Sequence, residues 1–378
     1  LQTCITSLMM MSSREIYLIF VTLAFISCAS ALRASNRLIK KIDRTSLSRQ
    51  MTTGSSDFIN KLNWDFIDEV YLITTNKSGN ERLERTKAEL KKVNLLDKVQ
   101  IRTFKTDDED RVRGCYTSHM SVLEEIQRKT KKSSNSHTSL ILEDNLEVTA
   151  GMSEQILSSI QNFLATEKTW DVFQLAYMMY VPGLKLDRLR PRNNEPWRAN
   201  IVQMFAESTS SVGTSAYLIS KSGVDKMLAK HKSQGYVDAV PVIMAELYPK
   251  TRFASFPMIF HRAGAVNSLV NPQLDSFRKV MFTPALYRNW ERLMVYTGLQ
   301  NNQLFPALVV LLMSSTLYAL YQLITTVILG SPNKAEVPAE ISLLSSSAEL
   351  IALFPLFVAL WGASLFKPGN TGAGFATS

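Results

Sequence analysis

Three consecutive side chains able to engage a cation, Glu143, Asp144 and Asn145, sit within the stretch S-L-I-L-E-D-N-L-E-V from Ser139 to Val148. Leu140, Ile141 and Leu142 before them are a short apolar run with the pattern of a buried strand, and the polar K-K-S-S-N-S-H segment bounds it upstream. Open α/β sheets bind ligands in the crevice outside the carboxyl ends of their strands, so acidic groups placed there stand where a ligand is met. Carboxylate and amide oxygens suit hard divalent cations such as Mg²⁺ or Mn²⁺, which in turn neutralise a departing diphosphate. The competing reading is plainer: Asp and Asn both favour turns after strands, and these two residues then only open one.

The surrounding elements decide what such a group can be part of. Glu69 to Thr75 reads as a strand rich in β-branched and aromatic residues, and Glu81 to Asn94 as a helix with Leu83, Leu90 and Val93 on one side. Val99 to Phe104 is a second strand, followed by an acidic loop from Thr106 to Asp110 and a helix over Tyr116 to Arg128. After the Ser139 stretch come a helix over Gly151 to Leu164 and a buried strand over Val172 to Ala176. A long loop follows from Val181 to Arg198. Its Arg188, Arg190, Arg192 and Arg198 read either as a mobile lid over an acidic substrate or as solvated surface. Ala216 to Ile219 is a strand, Lys221 to His231 and Val240 to Leu247 are helices, and Arg252 to Phe256 is a last strand. This alternation predicts an α/β domain with a mostly parallel sheet.

The 378 residues carry a formal net charge of +9 and three cysteines, Cys4, Cys28 and Cys115. No C-x-x-C pair and no zinc-spaced Cys/His cluster occurs in the sequence, and no common nucleic-acid motif is visible, so nucleic acid is not an expected partner. Residues 1–31 combine Arg14, an apolar run and Ala29-Ser30-Ala31, the pattern of a signal peptide or signal anchor. Residues 32–66 read as a polar stem, residues 67–300 as the α/β domain, and residues 368–378 as a tail. Between the last two, residues 301–367 hold two apolar runs, Phe305 to Leu329 and Ile351 to Phe366, expected as a membrane hairpin. The expected location is a secretory-pathway membrane (endoplasmic reticulum or Golgi) with the domain on the lumenal side, a plastid being the alternative.

Six blocks occur in order: Y-L-I-T-T-N-K-S-G-N-E-R-L-E-R-T, G-C-Y-T-S-H-M-S-V-L-E-E-I, L-I-L-E-D-N, W-D-V-F-Q-L-A-Y, G-T-S-A-Y-L-I-S-K-S-G-V-D-K-M-L and Y-V-D-A-V-P. Together, over about Val70 to Leu269, they resemble glycosyltransferase family 25, which includes lipooligosaccharide and collagen hydroxylysine galactosyltransferases. The resemblance implies a GT-A-like nucleotide-diphospho-sugar fold. It also implies inverting transfer of a hexose, often galactose from UDP-galactose, to a hydroxyl of a protein or glycan acceptor. A non-catalytic member of the same fold, tethered to a membrane as a binding module, is the alternative.

Residue by residue, Glu143 and Asp144 match the family's E-D-D, while Asn145 replaces its last carboxylate. That change removes one negative charge from a Mn²⁺ or Mg²⁺ site. Arg82 fits a position after the first strand where a guanidinium can grip donor phosphate, or else it is a helix-face charge. Gly114, Cys115, Ser118 and His119 match G-C-x-x-S-H. Gly114, read as preceding a helix, allows close approach to a ligand. His119 either donates to nucleotide or sugar or is a satisfied buried histidine, and Cys115 reads as a small buried hydrophobe. Asp238 is the first candidate for the base that takes the acceptor proton, with a helix N-cap as the competing role; Glu246 is the weaker candidate. His261 is either a further metal or diphosphate contact or structural. Asn76-Lys77-Ser78 is a glycosylation sequon.

Overall fold

The computed structural model describes residues 62–76, 79–131, 137–179, 181, 183–192, 194–206, 213–263, 284–304 and 306–307. In chain order the elements are β1 (Glu69–Thr75), α1 (Gly79–Lys92), β2 (Val99–Phe104), α2 (Arg111–Thr130), β3 (Thr138–Glu143), β4 (Leu146–Val148), α3 (Glu154–Thr166), β5 (Val172–Gln174) and β6 (Leu184–Arg188). They continue with β7 (Ile201–Ala206), β8 (Ala216–Ser220), α4 (Lys221–Gln234), α5 (Val240–Leu247), β9 (Arg252–Ser255), β10 (Phe260–Arg262) and α6 (Pro284–Thr297).

Eight strands form one sheet in the order β2-β1-β3-β8-β5-β9-β7-β6, and β4 pairs with β10 in a separate ribbon. Following the pairings, β7 and β8 run against the other six strands. The sheet is mixed, parallel at β2-β1-β3 and again at β5-β9. β1 and β3 read as apolar runs because helices cover both faces, while β2 is the edge strand. On one face Val70, Leu72, Leu140 and Leu142 pack with Leu90 of α1, with Val93 just past it, and with Ile160 and Phe163 of α3. On the other, Tyr71, Ile73 and Ile141 pack with Tyr116, Met120 and Leu123 of α2, Val224 and Leu228 of α4 and Ile243 of α5. Each such aliphatic side chain, fully buried, contributes roughly 2 kcal/mol.

Four expectations are corrected by the structure. The folded part begins before residue 67: Leu62 and Trp64 are 2% exposed, and the Trp64 indole donates to the Val93 carbonyl, so these residues are core and not stem. Helix α2 starts at Arg111 because Asp110, read as loop, is its N-cap and accepts from the Val112 and Arg113 amides. The arginine-rich loop is a hairpin edge instead: Leu184 and Leu186 point inward from β6, Arg188 lies over Phe256 and Tyr296, and Arg198 is buried and ion-paired to Glu195. Helix α6, which the sequence reading left unassigned, packs against β6. Among the described residues no helix is long and apolar enough to cross a membrane. The expected signal segment and both expected membrane runs lie outside them, apart from residues 306–307 at the start of the first run.

Candidate active site at the carboxyl end of the central strand

Successive strand residues point to opposite faces, and this divides the acidic pair. Glu143 continues the side of Ile141 and turns toward α2, while Asp144, just past the strand, turns toward α1. Two backbone hydrogen bonds fix this point of the chain: the Glu143 amide donates to the Ser215 carbonyl and the Asp144 amide to the Ile73 carbonyl.

On the α1 side, Arg82 Nε lies 2.7 Å from Asp144 Oδ1, and the Thr74 hydroxyl donates to Asp144 Oδ2 at 2.6 Å. Arg82 Nε also reaches the Asp144 carbonyl at 3.2 Å. The ion pair is nearly out of solvent, with side chains 12% and 5% exposed. On the α2 side, Glu143 Oε1 accepts from Thr214 Oγ1 at 2.6 Å and faces His119 Nε2 at 3.5 Å; Oε2 accepts from Asn145 Nδ2 at 3.0 Å. Burial pushes the Glu143 carboxyl up, but His119, Thr214 and Arg82 outweigh it and hold the group down at about 2. His119 is fully buried, its Nδ1 bonded to the Tyr217 hydroxyl at 3.0 Å and its ring stacked on that phenol. The Cys115 thiol, one turn before His119, is pushed up chiefly by burial, with Glu143 adding to the effect.

Thr214 and Tyr217 are the parts that sequence reasoning missed. Both lie in the G-T-S-A-Y block, which counts toward the resemblance and holds the start of the strand from Ala216; a Gly-Thr-Ser trio just before a buried strand was the available signal. Gly213 has φ +86° there, a conformation suited to glycine, and Gln174 Nε2 anchors its carbonyl at 3.0 Å.

Other expected residues fall elsewhere. Gly114 lies inside α2, not before it, and a Cβ there would come within 2.8 Å of the Asp107 Cβ, so the missing side chain admits the acidic loop. Ser118 returns its hydroxyl to the Gly114 carbonyl at 2.8 Å. Asp238 accepts from the Ala239 amide at 2.6 Å and lies beside Tyr236 near the start of α2; no hydrogen bond or ion pair joins it to the strand-end cluster. It is not the N-cap of α5, a position held by Ala239. Glu246 is exposed and paired with Lys230 at 2.6 Å. His261 stands opposite Glu147 in the β4–β10 ribbon, its Nε2 3.6 Å from that carboxylate. Asn76 Oδ1 accepts from the Thr106 amide and hydroxyl, tying the end of β1 to the exit of β2.

A hard divalent cation on Asp144, Asn145 and His261 does not fit this arrangement. Both Asp144 oxygens are engaged, the nearest positive charge is already Arg82, and His261 faces Glu147. What the group offers is a buried guanidinium held against a carboxylate at the end of a central strand. A charge-assisted donor of that kind recognises phosphate oxygens.

No protein-family model matches this chain, and no curated protein matches it. Similar solved structures include a glycosyltransferase involved in the glycosylation of the major capsid of PBCV-1 (9% identical, TM-score 0.30, spanning 56% of this chain and 99% of that one). A UDP-glucose pyrophosphorylase complexed with UDP-glucose is another (10% identical, TM-score 0.29, 59% of this chain and 80% of that one). Agreement at that level carries no argument about activity.

Proposed function

We propose that this chain is a hexosyltransferase of the family 25 type, moving a sugar, galactose being the first candidate, from a UDP-sugar to a hydroxyl of a protein or glycan with inversion. The observation that carries the reading is the Arg82–Asp144 pair at the carboxyl end of β3, where an open sheet meets its ligand. In this mechanism the acceptor oxygen attacks the anomeric carbon and the bond from that carbon to the diphosphate breaks. The electron pair leaves with UDP, whose charge Arg82 stabilises while Asp144 holds the guanidinium in place. Asp238 takes the acceptor proton. Asp144 acts here as the partner of Arg82 and Thr74, each of its oxygens engaged by one of them, and the reading places no divalent cation on it.

The test is release of UDP from UDP-galactose and UDP-glucose by the full chain, with a panel of hydroxyl acceptors and with EDTA or Mn²⁺ present. Release that survives EDTA and is lost in Arg82→Gln supports the reading. Absence of both release and UDP binding would leave the second reading, a binding module on the same fold. That alternative is favoured by Asn145 in place of a carboxylate and by the engagement of both Asp144 oxygens.

A further inference from the structure

The α2 side of the strand end holds a constellation that sugar transfer does not use. Cys115 and His119 stand four residues apart on one face of α2, so their side chains rise together toward Glu143. The Cys115 sulfur, a His119 ring nitrogen and a Glu143 carboxylate oxygen all lie within 4.8 Å of one another. His119 Nε2 is wholly buried and has no hydrogen-bond partner, although it points at Glu143 from 3.5 Å. Beside it Asn145, 6% exposed, gives its amide nitrogen to Glu143 and leaves Oδ1 equally without a partner. A buried polar atom left unpaired costs about 1–3 kcal/mol, so two at one spot require an explanation.

We infer that Cys115, His119 and Glu143 form a binding site for one transition-metal ion of the Zn²⁺ class, distinct from any Mg²⁺-type site at Asp144. Bond lengths of about 2.0–2.3 Å set the ligand atoms of a tetrahedral zinc site roughly 3.5 Å apart. The His119–Glu143 separation already has that value, and the sulfur stands within 4.8 Å of both. Thiolate and imidazole are ligands that favour zinc-class ions over magnesium or calcium. The imidazole is supported as metal-bound histidines are, with Nδ1 on the Tyr217 hydroxyl orienting the ring and leaving Nε2 for the ion. Thr214 plays the same part for the carboxylate. Three protein ligands leave a fourth position, for which the unpartnered Asn145 Oδ1 is a candidate ligand. An ion held there ties the first turns of α2 to the end of β3, whatever reaction the neighbouring face supports.

The probe is Co²⁺, which reports thiolate ligation by a charge-transfer band in the near ultraviolet. Full-length protein is stripped with EDTA, dialysed and titrated. One equivalent should develop the band, Zn²⁺ should abolish it, and Cys115→Ser should fail to show it. No band in the wild type, or a band that persists in Cys115→Ser and so arises from Cys4 or Cys28, overturns the inference. A second measurement needs no variant: Zn²⁺ should slow iodoacetamide alkylation of Cys115 at least about tenfold, a 1.4 kcal/mol effect, as mapped by mass spectrometry. Alkylation of Cys115 at an unchanged rate would likewise overturn it.

Discussion

Glu143 and Asp144 are adjacent and acidic, Asp144 buried and Glu143 partly so, yet they are set in different chemistries. Asp144 meets a permanent cation and a hydroxyl on the α1 face, which leaves it a fixed, saturated partner for Arg82. Glu143 meets a histidine, a threonine, an amide and a thiol on the α2 face, none of them permanently charged. A one-residue step along an extended chain reverses the direction of the side chain, and here that step separates a phosphate-gripping pair from a metal-type cluster. Two charged groups elsewhere sharpen the contrast. Arg252 on β9 is fully buried and none of its three side-chain nitrogens has a hydrogen-bond partner among the described residues, and Glu291 on α6 is buried among Tyr177 and the Met258 amide. At Glu143 the partners outweigh burial, whereas at Arg252 and Glu291 burial prevails.

The largest effect should come from Asp144→Ala, which takes the carboxylate away from the Arg82 guanidinium. Breaking a buried pair on one side costs about 3 kcal/mol or more, read as a lower midpoint in urea unfolding, and an unchanged midpoint would show the pair to be surface-like. Arg252→Met should act in the opposite sense, raising stability by about 1–3 kcal/mol, since it removes an unpaired buried charge and keeps the volume. A fall in Tm on that substitution would mean Arg252 has a partner in solution.

Glu143→Gln should cost about 1–2 kcal/mol near neutrality through lost charge-assisted bonds. Because folding lowers the Glu143 pKa to about 2, its contribution is fully present above the unfolded value near 4.5 and disappears as pH falls from there through 2. The variant should therefore show a flatter acid limb. Glu291 should do the reverse. Burial raises it to about 8, against the pull of Tyr177, the Met258 amide, Arg288 and Arg292. The unfolded chain then loses its proton first, and stability falls as pH rises from about 4.5 to about 8. Glu291→Gln should remove that slope, and a wild-type curve flat over the same range would contradict the assignment. The smallest change in stability should follow Asp238→Asn, within about 0.5 kcal/mol, while UDP release drops at least about a hundredfold, the usual scale for a lost general base.

The strand order of this domain was not legible in the chain, but its central parts were. β1 and β2 fall where the sequence places them, and the run ahead of Glu143 is indeed the buried strand; in β1 and β3 burial on both faces leaves a continuous signal. β6 went unseen because an edge strand shows one face to water, and its Lys185, Asp187 and Arg188 looked like loop. Asp110 was hidden among other acids. At the candidate site, Asp144 and Arg82 come together as a phosphate-binding reading requires. Thr214 and Tyr217 could not be seen as partners of Glu143 and His119, since about 70 and 100 residues of chain separate them and only the antiparallel pairing of β3 with β8 closes that gap.

Isothermal titration of the full chain with UDP-galactose and UDP-glucose bears most directly on the strand-end grip. One saturable site should appear for at least one of the two. Arg82→Lys, which keeps the charge but loses the planar fork, should weaken it at least about tenfold. Absence of heat from a wild-type protein shown to be folded, or equal affinity in Arg82→Lys, would contradict the account.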